Sequence, residues 1–156
     1  MREKSPVSAS TTTTSSATTP TTLHDPPVPA RAKLAAAWTS MMFFYVYVDH
    51  LHLYKPGAVA DILDGIVFTF DISQTFAVTS LTLVGIPSVM VLLSMALPAR
   101  ANRALNLVVA SLYVPVTLFN LSGGEWLWFY GLGVTVETAI LVFILRSAWT
   151  WPRIAA

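Results

Sequence analysis

The residues that decide the fold are 74–97, QTFAVTSLTLVGIPSVMVLLSMAL, which contain no Asp, Glu, Lys or Arg. An uncharged apolar segment of about twenty residues is long enough to cross the hydrocarbon layer of a bilayer as a helix. Three more apolar segments accompany it, at residues 34–54, 105–121 and 126–147. The pattern predicts an all-α protein: an antiparallel four-helix transmembrane bundle built from these four spans.

The overall composition supports a multi-pass integral membrane protein whose first partner is the lipid bilayer. Hydrophobic residues make up 54% of the chain and charged residues 11%, with a mean hydropathy of +0.63. Soluble domains carry about 25% charged residues, so the apolar excess is expected to face lipid. The chain has no cysteine, which excludes disulfides, thiolate metal sites and cysteine nucleophiles. Its basic residues are scattered at the ends of the apolar segments, a distribution that does not favour nucleic-acid binding.

The N-terminal residues differ in composition from the rest of the chain. Residues 1–32 are rich in Ser, Thr and Pro and contain few large apolar side chains. Too little apolar surface is available there to offset the entropy cost of ordering the backbone. We therefore predict a disordered tail over residues 1–32 and a four-span transmembrane domain over residues 33–152.

The positions of the basic residues predict an orientation in the membrane. All Lys and Arg residues except Lys55 lie before the first span, between the second and third, or after the fourth. Basic residues next to spans favour the cytoplasmic side, so the sequence predicts cytoplasmic N- and C-termini. The loop at residues 55–72 then lies on the opposite side. Its mixture of apolar residues with Asp61, Asp64 and Asp71 predicts a short interfacial helix followed by an extended piece.

Glu137 lies near the middle of the fourth predicted span. Because an ionised carboxylate without a partner is costly inside a bilayer, we expect it either to pair or to stay protonated. Tyr130 shares its helical face. Two interpretations stay open. Glu137 is a carboxylate that binds a proton or a substrate in a cavity, or it locks the bundle by a hydrogen bond to Tyr45, Thr82 or a carbonyl near Pro87.

A second group of polar residues lies near the end of the first span. Asp49 and His52 are three residues apart and share a helical face, so they are expected to form an interfacial pair. His50 points about 100° away from that face, and the only other histidine is in the tail, so we do not expect a metal site. The candidate intramembrane polar site therefore consists of Glu137, Asp49, Tyr45 and Tyr130.

Several short motifs carry a resemblance to a known group of proteins. They are YVYVD at residues 45–49, IPSVMVLLS at 86–94, RANRALN at 100–106 and AWTW at 148–151, together with Glu137. With these motifs the chain resembles an uncharacterised bacterial family of small four-span integral membrane proteins over about residues 33–151. The resemblance implies a four-helix bundle in the bacterial plasma membrane and brings no known activity, substrate or cofactor. In that family an acidic residue usually precedes the Ile-Pro pair, where this chain has Gly85.

Three functional hypotheses follow. The first is a non-enzymatic membrane component or accessory subunit, in which polar residues hold the bundle, a homo-oligomer or another membrane protein. The second is a small transporter or permeation pathway that uses Glu137 and Asp49. The third, suggested by a looser resemblance in size and layout to DoxX-like membrane proteins, is a quinone-linked redox or lipid-modifying protein. The residues themselves indicate no cofactor and do not favour an enzyme.

Overall fold

The computed structural model describes residues 25–122 and 126–152. The long helices are α1 (Ala30–His52), α3 (Gln74–Ala96), α4 (Ala99–Phe119) and α5 (Leu127–Trp149). Between α1 and α3 lie a short helix, α2 (Ala58–Leu63), and the strands β1 (Ile66–Val67) and β2 (Phe70–Asp71), and a 3-10 turn (Asn120–Ser122) follows α4. Most of the predicted N-terminal tail and the Gly-Gly turn at 123–124 lie outside the described residues.

Three helices, α3, α4 and α5, are long and apolar enough to cross a membrane, and they indicate a membrane protein. Each contains 21 to 23 residues. At 1.5 Å per residue this length is roughly 31–35 Å, which matches the hydrocarbon layer. The first helix also contains 23 residues, but it ends in the polar group Asp49, His50 and His52 and does not meet the same condition.

The long helices pack in the order α3, α1, α5, α4, with α1 in contact with both α3 and α5. Contact between α3 and α4 is sparse, and an apolar groove separates them along Gly85, Val89 and Leu105. The hydrophobic core lies at the end of the bundle where α1 begins. Its most deeply buried members are Leu34, Trp38, Met41, Met90, Ala110, Leu141, Ile144 and Ala148.

Two arginines connect the helix ends next to this core. Arg31 in the first turn of α1 donates from Nη1 to the carbonyl of Met95 near the end of α3, at 3.0 Å. Arg103 near the start of α4 donates from Nε to the carbonyl of Ala148 in the last turn of α5, at 3.2 Å, and its guanidinium lies over the Trp149 ring. The last carbonyls of a helix lack intrahelical donors, so a cation there both satisfies and neutralises them.

The predicted start of the third span is wrong by more than a turn. We placed it at residue 105 and assigned Pro98–Arg103 to a connecting loop, whereas α4 begins at Ala99. Its polar residues Asn102 and Asn106 are fully buried. Asn106 accepts from the Trp38 indole at 2.7 Å and donates to Asn102 Oδ1 at 2.7 Å. Hydropathy alone interprets such residues as a loop, because it cannot show that their hydrogen bonds are made inside the protein.

The proline in the middle of α3 is accommodated by a side chain from α4. Pro87 has no N–H, so the carbonyl four residues earlier, that of Leu83, loses its helical donor. The Tyr113 hydroxyl donates to this carbonyl at 2.6 Å. Tyr113 is itself buried, and its ring meets Trp38 edge to face at 6.2 Å. The proline thus creates the acceptor that holds α3 to α4 where their apolar contact is sparse.

The loop between α1 and α3 has the predicted order of a short helix and an extended piece. After α2 the chain forms an antiparallel hairpin that pairs Ile66 with Asp71 and Val67 with Phe70. Phe68 at its tip has φ 58°, in the left-handed region that residues other than Gly seldom adopt. Within the described residues, this β-hairpin is where the structure differs from the predicted all-α fold. It places Phe68 and Phe70 over the end of the bundle remote from Arg31.

Candidate functional site

A cavity of about 250 Å³ lies at the bundle end remote from Arg31, and every predicted site residue lines it. Tyr45, Asp49 and His52 reach it from α1, and Tyr130 and Glu137 from α5. The sequence placed these residues on two helices without showing that they face each other. The remaining lining residues come from the hairpin, α1, α3 and the end of α4: Val48, Val67, Phe68, Phe70, Phe76, Phe119 and Asn120.

Glu137 forms the floor of the cavity. It lies ten residues into α5, roughly 15 Å from the start of that helix, and is only 1% exposed. Its Oε2 atom makes no hydrogen bond to any described residue. Thr117 and Asn120 are its neighbours from the end of α4. Thr117 also neighbours Tyr45, and the buried oxygens Tyr45 Oη and Thr117 Oγ1 likewise have no partner among the described residues.

Three adjacent buried oxygens without partners are unusual, because leaving a buried polar group unpaired costs about 1–3 kcal/mol. Of the partners that the bundle-locking interpretation of Glu137 named, Thr82 and the carbonyl near Pro87 are engaged elsewhere, whereas Tyr45 lies close by with its hydroxyl unpaired among the described residues. Thr82 donates to the carbonyl of Val78 at 2.8 Å, and the carbonyl freed by Pro87 accepts from Tyr113. Glu137 therefore lies in the cavity with hydrogen-bonding capacity that the described protein atoms do not use.

The mouth of the cavity is formed by Asp49, His52 and Tyr130. His52 Nδ1 lies 2.6 Å from the Tyr130 hydroxyl, a hydrogen bond that connects the end of α1 to the start of α5. The hydrogen bond of His52 goes to Tyr130, and His52 also interacts electrostatically with Asp49, so the interfacial pair of Asp49 with His52 stays a prediction. Asp49 is exposed beside them, one helical turn above Tyr45. His50 packs its ring on Tyr54 outside the cavity.

Aromatic rings form much of the remaining wall. Phe68 lies 6.4 Å from Phe70 and 6.3 Å from Phe119, as distances between ring centroids. Phe70 in turn stacks on Phe76 at 6.3 Å. These contacts join the hairpin to α3 and to the end of α4, so the loop closes one side of the cavity. Among residues 25–122 and 126–152, the lining contains two carboxylates and one histidine, but no Lys or Arg.

The sequence interpretation missed Thr117, Asn120 and the hairpin phenylalanines. Thr117 gave a signal that could have been used, because it lies four residues after Tyr113 and so shares the buried face of α4. Phe68 and Phe70 gave none, since their position depends on how the loop folds back. Gly85 lines the groove between α3 and α4 and not this cavity.

The site gives no indication of a metal centre. Across residues 25–122 and 126–152, no three His, Asp or Glu side chains are grouped as metal ligands. Asp49 and Glu137 lie at opposite ends of the cavity, one exposed and one buried, and His52 is bonded to Tyr130. The cavity has one buried hydrogen-bond acceptor, Glu137, one exposed acidic residue near its mouth, Asp49, and an aromatic wall. This lining suits a small molecule better than a metal ion.

Comparison with known proteins confirms the resemblance to an uncharacterised family and adds no activity. Neither the curated proteins nor the solved structures yielded a match. The looser likeness to DoxX-like proteins stays a prediction. One family profile matches residues 29–156, which include all the helices and every residue of the cavity. The chain therefore belongs to the family of unknown function DUF6326.

Proposed function

We propose that the chain is a small transporter of a bacterial plasma membrane in which Glu137 carries a proton through an antiparallel four-helix bundle. In this proposal α1 is the fourth span. Its end next to Arg31 faces the cytoplasm together with Arg100, Arg103 and Arg146, whereas Lys55 is the only Lys or Arg among the described residues at the other end. The cavity then opens towards the outside.

The observation that carries the proposal is the unpaired Oε2 of a Glu137 side chain that is 1% exposed and lines a cavity. Carboxylates inside a membrane are expensive, and they mark ion pathways and proton relays. A purely structural carboxylate would use both oxygens in contacts with the protein. Glu137 instead keeps a buried, unused acceptor beside a cavity that Asp49 lines at its mouth.

Transport also requires access from the other side, which the packed core closes in the present conformation. Trp38, Met41 and Leu141 lie between the cavity and the end of the bundle next to Arg31, each at most 1% exposed. We propose that α3 moves to open this side. It contacts α4 sparsely across an apolar groove of about 400 Å³, so little packing between α3 and α4 opposes this shift, whereas the main interface of α3 is with α1 and is expected to move with it.

Proton flux into proteoliposomes tests the proposal. Purified protein is reconstituted into liposomes that contain a fluorescent pH indicator, and an inward proton gradient is applied with the membrane potential clamped. We expect wild type to acidify the interior faster than empty liposomes and Glu137→Gln to acidify it at the empty rate. Asp64→Asn is the matched control, because Asp64 is an exposed acid outside the cavity. Wild-type flux equal to that of empty liposomes, or full flux in Glu137→Gln, would exclude the transporter.

A non-enzymatic accessory subunit is the second candidate, supported by the end of the bundle next to Arg31. There the buried Asn102, Asn106, Ser94 and Trp38 use their polar groups in one hydrogen-bonded network between α1, α3 and α4. Such a network stabilises a fixed bundle and needs no ligand. This candidate predicts that Glu137→Gln leaves the biological role intact, whereas Asn106→Leu weakens both the role and the stability of the bundle.

A further inference from the structure

We propose that the cavity binds a small organic ammonium cation, which would be the cargo of the transporter proposed above. Neither the family nor the arrangement of spans assigns a ligand of this class. Only the role of this cation as transported cargo rests on the proposed function. The binding site itself stands on the charges, rings and dimensions of the cavity.

The charged groups of the lining favour a cation. Glu137 at the floor and Asp49 at the mouth are carboxylates, and no Lys or Arg of the part of the chain that the structure describes lines the cavity. The side chain of His52 is engaged by Tyr130. An anionic ligand would have to pass the Asp49 carboxylate and would then meet Glu137, beside which the described lining offers no Lys or Arg. It would therefore be repelled and would form no ion pair. A ligand with an ammonium group supplies a positively charged partner for the Glu137 carboxylate. Where the ligand carries N–H groups, it also supplies a hydrogen-bond donor for Oε2.

The aromatic wall selects an organic cation over a metal ion. Six rings line the cavity: Tyr45, Phe68, Phe70, Phe76, Phe119 and Tyr130. Aromatic rings attract ammonium groups through their negative faces, and cages of rings recognise quaternary ammonium ligands. A metal ion such as Ca²⁺ or Mg²⁺ requires about six oxygen ligands, and the described residues contain no group of three His, Asp or Glu that could begin such a shell.

The size of the cavity restricts the ligand. At about 250 Å³ it lies just below the roughly 300–1,000 Å³ typical of sites for small molecules. A compact ammonium group with one short or aromatic substituent fits this space, whereas a lipid or a large multi-ring cation does not. We therefore chose benzyltrimethylammonium as the probe, with tetramethylammonium as a smaller cation and phenylacetate as an anion of similar size.

Calorimetric titration of the full chain in lipid nanodiscs tests the inference. We expect both cations to bind and phenylacetate not to bind. Glu137→Gln is expected to weaken benzyltrimethylammonium binding at least about tenfold, because one desolvated charge pair is lost. Phe70→Leu removes a ring but keeps apolar volume, and we expect a loss of roughly 2- to 10-fold. The matched control is Phe43→Leu, since Phe43 lies on α1 outside the cavity and is 62% exposed.

The outcomes separate this inference from the proposed function. Absence of cation binding to wild type, equal binding of phenylacetate, or unchanged affinity in both Glu137→Gln and Phe70→Leu would overturn the ligand class, whatever the proton flux. Cation binding without proton flux would support the ligand class and exclude the transporter. Each variant is compared only if it elutes as a single species and unfolds at the wild-type temperature. If Glu137→Gln fails this condition, Phe70→Leu and Asp49→Asn decide the question.

Discussion

Tyr113→Phe removes the hydroxyl that satisfies the carbonyl freed by Pro87 and leaves the ring in place. That hydroxyl donates to the Leu83 carbonyl at 2.6 Å, and Tyr113 is 3% exposed. A buried carbonyl without a donor costs about 1–3 kcal/mol in soluble proteins. Hydrogen bonds between membrane helices average about 0.6 kcal/mol and reach about 1.7. We therefore expect Tyr113→Phe to lower the free energy of unfolding by about 1–2 kcal/mol.

A double-mutant cycle with Pro87→Ala tests directly whether the Tyr113 hydroxyl acts through the carbonyl that Pro87 frees. In Pro87→Ala the new backbone N–H can donate to the Leu83 carbonyl, as in an uninterrupted helix. Tyr113→Phe should then cost at least about 1 kcal/mol less in the Pro87→Ala background than in wild type. The free energies are measured by equilibrium unfolding in mixed micelles of increasing sodium dodecyl sulfate content. Tyr47→Phe is the control, because Tyr47 is 60% exposed and should change nothing.

The refuting result is equal cost of Tyr113→Phe in both backgrounds. It would mean that the hydroxyl does not act through the carbonyl that the proline releases. A cost below about 0.3 kcal/mol in wild type would show that another group satisfies the Leu83 carbonyl. In either case the proposed connection between α3 and α4 would be wrong at this point.

Three further predictions concern topology and packing. The chain has no native cysteine, so Ala101→Cys should resist an impermeant thiol reagent in intact cells while Asp64→Cys reacts; the reverse pattern would contradict the orientation. Gly133→Ala should change the unfolding free energy by less than about 1 kcal/mol, because the added Cβ would lie 3.7 Å from Val48 Cγ2, an ordinary contact, and because Ala favours a helix. A large loss of stability in the micelle unfolding experiment would refute this. Asn106→Leu should destabilise by about 1–3 kcal/mol, since it leaves the Trp38 indole N–H without an acceptor and Asn102 Oδ1 without a donor; unchanged unfolding would show that the network contributes nothing.

Much of the architecture could be predicted because helix length and hydropathy are local properties. The second span was predicted at residues 74–97 and is observed at Gln74–Ala96, with Ser73 accepting from the Phe76 amide as a helix cap. The third span begins earlier than predicted because Asn102, a polar residue before the apolar segment, lies on a buried face of α4. Local hydropathy cannot distinguish a polar residue that meets water from one that meets another side chain.

The sequence identified residues of the candidate site but not the contacts between them. Glu137 is conspicuous by its depth in an apolar segment, and Asp49 by its position near the end of another. The contact of His52 with Tyr130 was not predicted because helical spacing indicates only residues on the same helix, whereas Tyr130 approaches from α5. Thr117 was missed although it shares a helical face with Tyr113, because its contact with Glu137 joins two different helices.

The sequence by itself determined long apolar helices, their approximate limits, the separation of basic from acidic ends and the presence of one acid deep in a helix, because each is a property of consecutive residues. Only the tertiary structure decided that Glu137 is left without a hydrogen bond at Oε2 and that a hairpin brings Phe68 and Phe70 over it. The physical reason is that a cavity and an unpaired atom are defined by what several distant segments leave between them.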